Sequence, residues 1–161
     1  MHRRRDWLRR LAGGILAGSA AQAWSTLAAA ARADRVELSD AEWRKRLTPM
    51  QYDILRHEGT ERAGTSALNN EKRKGTYRCV GCELPLFTSA MKFDSGTGWP
   101  SFFDTLPDAF GTKVDRKLFG ERIEYHCARC GGHHGHVFDD GPAPTGKRYC
   151  NNGAVLKFMP E

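Results

Sequence analysis

The chain has 161 residues, with 25 Lys and Arg against 19 Asp and Glu, and 40% of its residues are hydrophobic. This length fits one domain, and the hydrophobic content excludes general disorder. No apolar run after residue 33 approaches the roughly 18 residues that a membrane-spanning helix needs, which excludes a multi-span membrane protein. Six Arg and one Asp in residues 1–33 account for +5 of the formal net charge of +6, so the remaining +1 gives a nucleic-acid partner little electrostatic support.

The first 33 residues are typical of an export signal. Their cationic head contains RRDWL at 4–8, which resembles the Arg-Arg-x-Phe-Leu pattern of twin-arginine signals, and a weakly apolar stretch rich in Ala and Gly follows. Small residues suit cleavage at 31–33, and a second site at 21–23 leaves the cleavage point open. An uncleaved amphipathic or anchoring helix is the alternative. We expect a signal peptide over 1–33, a domain over 34–161, and export to the periplasm by the twin-arginine machinery.

Two capping boxes predict two short helices at the start of the mature chain. In the first, Ser39 can accept a hydrogen bond from the backbone N–H of Glu42 while the Glu42 side chain reaches back, and the helix extends to about Leu47. In the second, Thr48 precedes a Pro at the first helical position, where the missing N–H costs nothing, and the helix ends near 57–59. The side chains of the second helix that are expected to face inward are Tyr52, Ile54 and Leu55.

The rest of the chain has the pattern of an antiparallel β domain. Residues 60–75 have no usable period and are expected to form a loop. Beyond it, short apolar runs lie between turns rich in Gly, Pro and Asp. The predicted strands cover 76–79, 113–115, 122–127, 136–138 and 154–158. The sequence therefore predicts two small helices followed by a compact, mainly β domain.

Four of the five cysteines form two Cys-x-x-Cys pairs, Cys79 with Cys82 and Cys127 with Cys130. Two such pairs are typical of a tetrahedral zinc site with four thiolate ligands. Because four protein ligands leave no open position, we predict one structural Zn²⁺ that joins the two segments and stabilises a small core. Two disulfides are the alternative in an exported protein, although the twin-arginine route carries folded proteins and would let zinc bind first in the reducing cytoplasm.

The fifth cysteine, Cys150, belongs to neither pair. An unpaired Cys in an exported protein is a reactive thiol, half of an intermolecular bond or a buried structural residue. Lys147 and Arg148 precede it, and a histidine cluster at 133–136 lies upstream. Such neighbours lower the pKa of a thiol and raise its thiolate fraction, so they favour a catalytic role.

Three sequence blocks resemble the signature blocks of the B-type methionine-R-sulfoxide reductases. They are FDSGTGWPSF at 93–102, GHHGHVFDDGP at 132–142 and TGKRYCNN at 145–152. With the two Cys pairs and the helix start at 47–49 they follow the order of that family, and the resemblance covers about residues 38–158. It implies a zinc-containing β fold of two antiparallel sheets with short N-terminal helices, and an enzyme that uses thiols to reduce methionine-R-sulfoxide, thereby repairing oxidised proteins.

The same resemblance implies roles for five residues. Cys150 stands at the position of the nucleophile, whose thiolate attacks the sulfoxide sulfur and becomes a sulfenic acid. His136 matches the histidine that protonates or hydrogen-bonds the sulfoxide oxygen, and His133 matches its partner. Trp99 matches the aromatic residue that packs against the S-methyl group of the substrate, and Asn152 matches an amide that orients the pocket.

Three positions need separate expectations. Thr97 stands where many family members have a Cys that resolves the sulfenic acid, so we expect a one-cysteine enzyme that an external small thiol or thioredoxin-like donor resets. Gly64 stands where Phe is frequent, so some packing near the pocket is expected to be lost. His134 stands at a position that is often apolar in the family and has no role there, and we expect it on the surface.

Two rival functions come from other classes. A non-catalytic zinc-binding β domain that recognises peptides or proteins explains the paired cysteines but gives Cys150 no role. A thiol transferase of similar fold is expected to need an open metal site, whereas four Cys ligands close it. For the reductase, the expected partners are oxidised methionine in proteins or peptides, the reductant and the export machinery, with no nucleic acid. We expect a monomer.

Overall fold

The computed structural model of the protein describes residues 34–117 and 120–161. The predicted signal peptide over 1–33 lies outside these residues. Among the residues described, no helix is long and apolar enough to cross a membrane. Arg35–Glu161 pack as one compact unit.

Both predicted helices are present, with α1 over Asp40–Arg46 and α2 over Pro49–His57. Each begins with its predicted capping box. The N-cap side chain accepts a hydrogen bond from the backbone N–H of the residue three positions later, and the side chain of that later residue accepts a hydrogen bond from the backbone N–H of the N-cap. Glu58 ends α2 in the left-handed conformation. The prediction of the inward face is confirmed, because the helical side chains buried in the core are Trp43, Tyr52, Ile54 and Leu55.

Nine strands occur in the described part of the chain, and most are short. They are β1 Gly75–Cys79, β2 Pro85–Thr88, β3 Lys92–Phe93, β4 Ser101–Phe102, β5 Phe110–Asp115, β6 Arg122–Cys127, β7 His133–Phe138, β8 Arg148–Asn151 and β9 Leu156–Pro160. Single 3-10 turns lie at Ala67–Asn70, Ser89–Met91 and Gly153–Val155. The last of these turns is why β9 begins two residues later than predicted. The sequence did not predict β2, β3, β4 and β8, because strands of two to four residues are too short to display an alternating pattern.

The strands form two antiparallel sheets, in the orders β2-β1-β9 and β3-β4-β8-β7-β6-β5. This architecture confirms the predicted mainly β fold with two antiparallel sheets and short N-terminal helices. Aromatic side chains join the sheets: the ring of Phe87 on β2 stacks on that of Phe102 on β4 with centroids 4.0 Å apart, and Tyr77 on β1 meets Phe102 edge-on at 5.0 Å.

The register of the larger sheet places Cys150 between two polar neighbours. Cys150 on β8 pairs with His136 on β7 and with Ser101 on β4, and His136 pairs in turn with Glu124 on β6. Directly opposed residues of antiparallel strands present their side chains on the same face. One face of this sheet therefore carries a row of polar side chains with Cys150 inside it.

Candidate active site and metal centre

The four paired cysteines meet where the two sheets come together. Their Sγ atoms all lie within 4.8 Å of one another. The separation is 3.7 Å between Cys79 and Cys130 and 3.4 Å between Cys82 and Cys127. A tetrahedral zinc ion with Zn–S bonds of about 2.3 Å requires sulfurs about 3.8 Å apart, whereas a disulfide requires about 2.05 Å. The spacing fits zinc, and the disulfide alternative is wrong.

The zinc site joins strands that belong to different sheets. Cys79 is the last residue of β1 in the smaller sheet, and Cys127 is the last residue of β6 in the larger one. Thiolates occupy all four tetrahedral positions, so no position is open to substrate. The prediction of one structural Zn²⁺ is confirmed.

His134 is buried beside the zinc site, so the expectation that it lies on the surface is wrong. Its side chain is 0% exposed, its Nε2 atom lies 3.4 Å from Sγ of Cys79, and burial lowers its pKa to about 3. The register of β6 against β7 shifts here, because Tyr125 pairs with Gly135 whereas the next residue pairs with His133. His134 is therefore the extra residue of a β-bulge, which turns its side chain into the core.

A cavity of about 150 Å³ opens beside Cys150. It brings together four of the five residues with predicted roles, namely Cys150, His136, Trp99 and Asn152. Its other lining residues are Thr60, Arg122, Gly135, Phe138 and Asn151. The fifth predicted residue, His133, is 2% exposed and stands behind His136, with their ring centroids 5.5 Å apart.

Cys150 sits in an environment that opposes its ionisation. Burial raises its pKa, while the positive charge of Arg148 and the hydroxyl of Thr97 lower it, and the net direction is upward. Lys147 forms an ion pair with Asp139 instead. Arg148 thus acts on the thiol in the predicted direction, but in the substrate-free protein the desolvation of the thiol outweighs it, and the net shift of the pKa is upward.

His136 is held by a carboxylate that was not among the predicted site residues. Its Nε2 lies 2.8 Å from Oδ2 of Asp115, and Nη2 of Arg122 donates to the same oxygen at 2.6 Å. The backbone N–H of Lys117 is the largest influence that holds the pKa of Asp115 well below its usual range, followed by His136. Because an ionised carboxylate can only accept hydrogen bonds, Nε2 of His136 is the donor, which leaves Nδ1 for other partners.

His133 forms a second polar layer behind His136. Its Nδ1 lies 3.1 Å from Oε1 of Glu124. Glu124 is 2% exposed, and its other oxygen, Oε2, forms an ion pair with Nζ of Lys113 at 3.0 Å. Burial lowers the pKa of His133, although the contact with Glu124 acts in the opposite direction. The two imidazole rings meet edge-on at 65°, so His133 limits the space into which His136 could turn.

Trp99 and Asn152 are both held by hydrogen bonds to backbone groups. Nε1 of Trp99 donates to the carbonyl of Glu61 at 3.0 Å. Nδ2 of Asn152 donates to the carbonyl of His134 at 3.0 Å, and its Oδ1 accepts from the N–H of Glu61 at 2.9 Å. A backbone N–H can only donate and a carbonyl can only accept, so these two bonds fix the orientation of the amide.

The two departures from the family pattern have distinct surroundings. The hydroxyl of Thr97 lies 2.8 Å from that of Ser95, and the chain has no cysteine besides Cys150 and the four of the zinc site. Gly64 has φ +78°, a left-handed conformation that favours glycine, and its N–H donates to the carbonyl of Gly98 at 2.7 Å. Gly64 does not line the cavity, and the expected loss of packing there stays a prediction.

Comparisons of the sequence with known proteins point to one family. The model of the SelR domain matches residues 47–160. Peptide methionine sulfoxide reductase MsrB of Methanosarcina barkeri is 54% identical over 127 residues, which are 78% of this chain and 89% of that protein. Peptide methionine sulfoxide reductase B1, chloroplastic, of Arabidopsis thaliana is 57% identical over 122 residues, which are 75% of this chain and 60% of that longer protein. Among solved structures, the Mis18 'Yippee-like' domain aligns with 54% of this chain and 96% of its own, at a TM-score of 0.44 and 16% identity.

Proposed function

The chain belongs to the SelR-domain family of peptide methionine-R-sulfoxide reductases, and we propose that its catalysis takes place at Cys150. The enzyme reduces methionine-R-sulfoxide in proteins to methionine, which is a repair reaction. A non-catalytic zinc-binding domain is therefore not the function. The observation that carries the proposal is that Cys150, His136, Trp99 and Asn152 line one cavity.

In the proposed first step, the Cys150 thiolate attacks the sulfur of the sulfoxide. This attack forms a bond between Sγ and the substrate sulfur; that bond and the S–O bond then break as an oxygen atom bonds to Sγ, and the products are methionine and the Cys150 sulfenic acid. The sulfoxide gains the two electrons that the thiol loses, so the step balances. Since the departing oxygen needs a proton, His136 in its protonated form can supply it, or hydrogen-bond the oxygen, from Nδ1, while Nε2 donates to Asp115.

The other residues of the site would orient the substrate. The substrate methyl group packs against Trp99 with the sulfoxide oxygen toward His136, an arrangement that suits the R epimer and turns the oxygen of the S epimer away. Asn152, with its amide fixed by two hydrogen bonds, orients the pocket next to the thiol. The zinc ion supplies structural support alone, because its four thiolates leave it no open position.

We propose that an external thiol resets the enzyme. Thr97 supplies no thiol, and zinc holds the four other cysteines, so no second thiol is free to reduce the sulfenic acid within the chain. A small thiol or a thioredoxin-like donor attacks Sγ of Cys150, releases water and forms a mixed disulfide, and a second thiol then frees Cys150. Recycling is bimolecular, so its rate should depend on the concentration of the reductant.

The recycling proposal predicts the state of the enzyme after one turnover. Reduced enzyme mixed with excess peptide methionine-R-sulfoxide and no reductant should gain one oxygen and lose one titratable thiol per chain, with zinc retained, because no disulfide partner is available. Intact-mass spectrometry and thiol titration measure both quantities. A loss of two thiols and two hydrogens, with no added oxygen, would show that one of the four paired cysteines resolves the sulfenic acid.

We also propose that residues 1–33 are a twin-arginine signal that sends residues 34–161 to the periplasm. The RRDWL head at 4–8 and the Ala- and Gly-rich stretch after it support this proposal. The full chain expressed in a bacterium should appear in the periplasmic fraction with a mass that matches cleavage after residue 33 or 23. Changing both arginines at positions 4 and 5 to Lys keeps the charge and should leave the chain uncleaved in the cytoplasm; unchanged export of that variant would contradict the proposal.

A further inference from the structure

The loop after α2 contains a buried carboxylate that the reaction steps above do not use. Glu61 is 5% exposed, and its two oxygens accept hydrogen bonds from consecutive backbone N–H groups, Oε1 from Gly153 at 2.6 Å and Oε2 from Ala154 at 2.8 Å. Only Asn152 separates these residues from β8, the strand that carries Cys150. A Cβ at Gly153 would collide with the Ser66 hydroxyl, so the loop packs closely on this backbone.

The backbone of the same residue holds two side chains of the active site. The carbonyl of Glu61 accepts the indole N–H of Trp99 at 3.0 Å, and its N–H donates to Oδ1 of Asn152 at 2.9 Å. Glu61 itself does not line the cavity, although the preceding Thr60 does. Four hydrogen bonds of one residue thus connect the loop, the aromatic wall of the cavity and the backbone after the nucleophile.

We propose that Glu61 is a positioning residue that sets the placement of Trp99 and Asn152 relative to the reactive thiol. Its carboxylate anchors the loop to the backbone after β8. This anchor determines the positions of the Glu61 carbonyl, which holds the indole of Trp99, and of the Glu61 N–H, which holds the amide of Asn152. The inference rests on the proposed roles of Trp99 and Asn152. It adds to the reaction a residue that contacts neither the substrate nor Cys150.

The anchor depends on the chemistry of the carboxylate. A carboxylate can accept two N–H groups without presenting a donor, which no other side chain of this shape can do. Glutamine keeps the shape but places an NH2 group against one of the two backbone N–H groups, so the loop must shift. Displacements of about 1 Å in an active site can reduce a rate by about 10²-fold.

The test compares Glu61→Gln with Glu71→Gln. The carboxylate of Glu71 also accepts a backbone N–H, that of Arg73 at 2.9 Å, but the backbone N–H of Glu71 donates to the carbonyl of Leu68, which does not line the cavity. With peptide methionine-R-sulfoxide as substrate, E61Q should lower kcat/KM by about 10- to 100-fold, with KM raised as well as kcat lowered, because Trp99 contacts the bound substrate. E71Q should stay within about twofold of the wild type.

A spectroscopic readout separates positioning from a general loss of stability. Residues 34–161 contain two tryptophans, Trp43 in the core and Trp99 in the cavity wall, so their indole ¹H–¹⁵N resonances can be assigned with Trp99→Phe. In E61Q the Trp99 resonance should shift while that of Trp43 stays in place. A lower melting temperature with an unmoved Trp99 resonance, and with wild-type kinetics measured well below that temperature, would overturn the proposal.

Two further variants keep the test decisive. If E61Q does not fold, Glu61→Asp keeps the charge and shortens the side chain by one methylene, and the same kinetic and spectroscopic shifts are expected from it. Cys150→Ser in the same assay tests the proposed reaction separately. Turnover that survives in C150S contradicts the role of Cys150, whereas wild-type behaviour of both Glu61 variants contradicts only the role of Glu61.

Discussion

Cys127→Ser is expected to release zinc and to unfold residues 34–161 as a whole. Cys127 ends β6, is 0% exposed and shares the site with Cys79 at the end of β1, so the loss of one ligand breaks the link between the two sheets. At structural zinc sites the metal-binding free energy, about 10–16 kcal/mol in zinc-finger peptides, contributes to folding, and the stability of a whole domain is about 5–15 kcal/mol. Zinc content per chain and the thermal unfolding transition measured by circular dichroism check this prediction.

The matched control is Cys150→Ser, which makes the same chemical change at a cysteine outside the zinc site. This control should keep one zinc per chain and a cooperative unfolding transition close to that of the wild type. Because Cys127 and Cys150 are both in strands of the larger sheet, the comparison separates the loss of a ligand from the general effect of a serine there. A Cys127→Ser chain that stays folded with one bound zinc would contradict the four-thiolate site.

The parts of the fold that the sequence predicted depend on signals between residues close in the chain. Ser39 and Thr48 each cap a helix through a partner three residues away, and both helices begin where predicted. The four zinc ligands were predicted from the two Cys-x-x-Cys pairs, because the spacing within each pair lets both thiolates bind the same tetrahedral metal ion. Four of the residues that line the cavity, Cys150, His136, Trp99 and Asn152, were predicted from sequence blocks that resemble a known family, with no argument from strand register.

The parts that the sequence could not predict depend on contacts between distant residues. The bulge that buries His134 comes from a register shift between β6 and β7, and neither strand encodes that shift by itself. Asp115 reaches His136 only because β5, β6 and β7 are neighbours in the sheet. Glu61 lies in a stretch without periodicity, and its partners on the other side of the site are more than 90 residues away in the chain.

Cys150→Ser is expected to lower kcat by more than about three orders of magnitude while the fold and the zinc remain. A serine hydroxyl fills nearly the same space as the thiol but is a far weaker nucleophile at neutral pH. In addition, a transfer of the sulfoxide oxygen onto serine would have to form an O–O bond, which is much weaker than the S–O bond that it replaces. Methionine released from a peptide methionine-R-sulfoxide, with dithiothreitol as reductant, measures the loss.

The same variant separates the chemistry of Cys150 from the shape of the cavity. Trp99, His136 and Asn152 keep their hydrogen bonds to residues other than Cys150, so C150S should bind the sulfoxide peptide with nearly the affinity of the wild type in an NMR titration. Turnover that survives in C150S would need another thiol, and the other four belong to the zinc site. Such residual activity, if it rose as zinc was removed by a chelator, would contradict the assignment of Cys150 as the nucleophile.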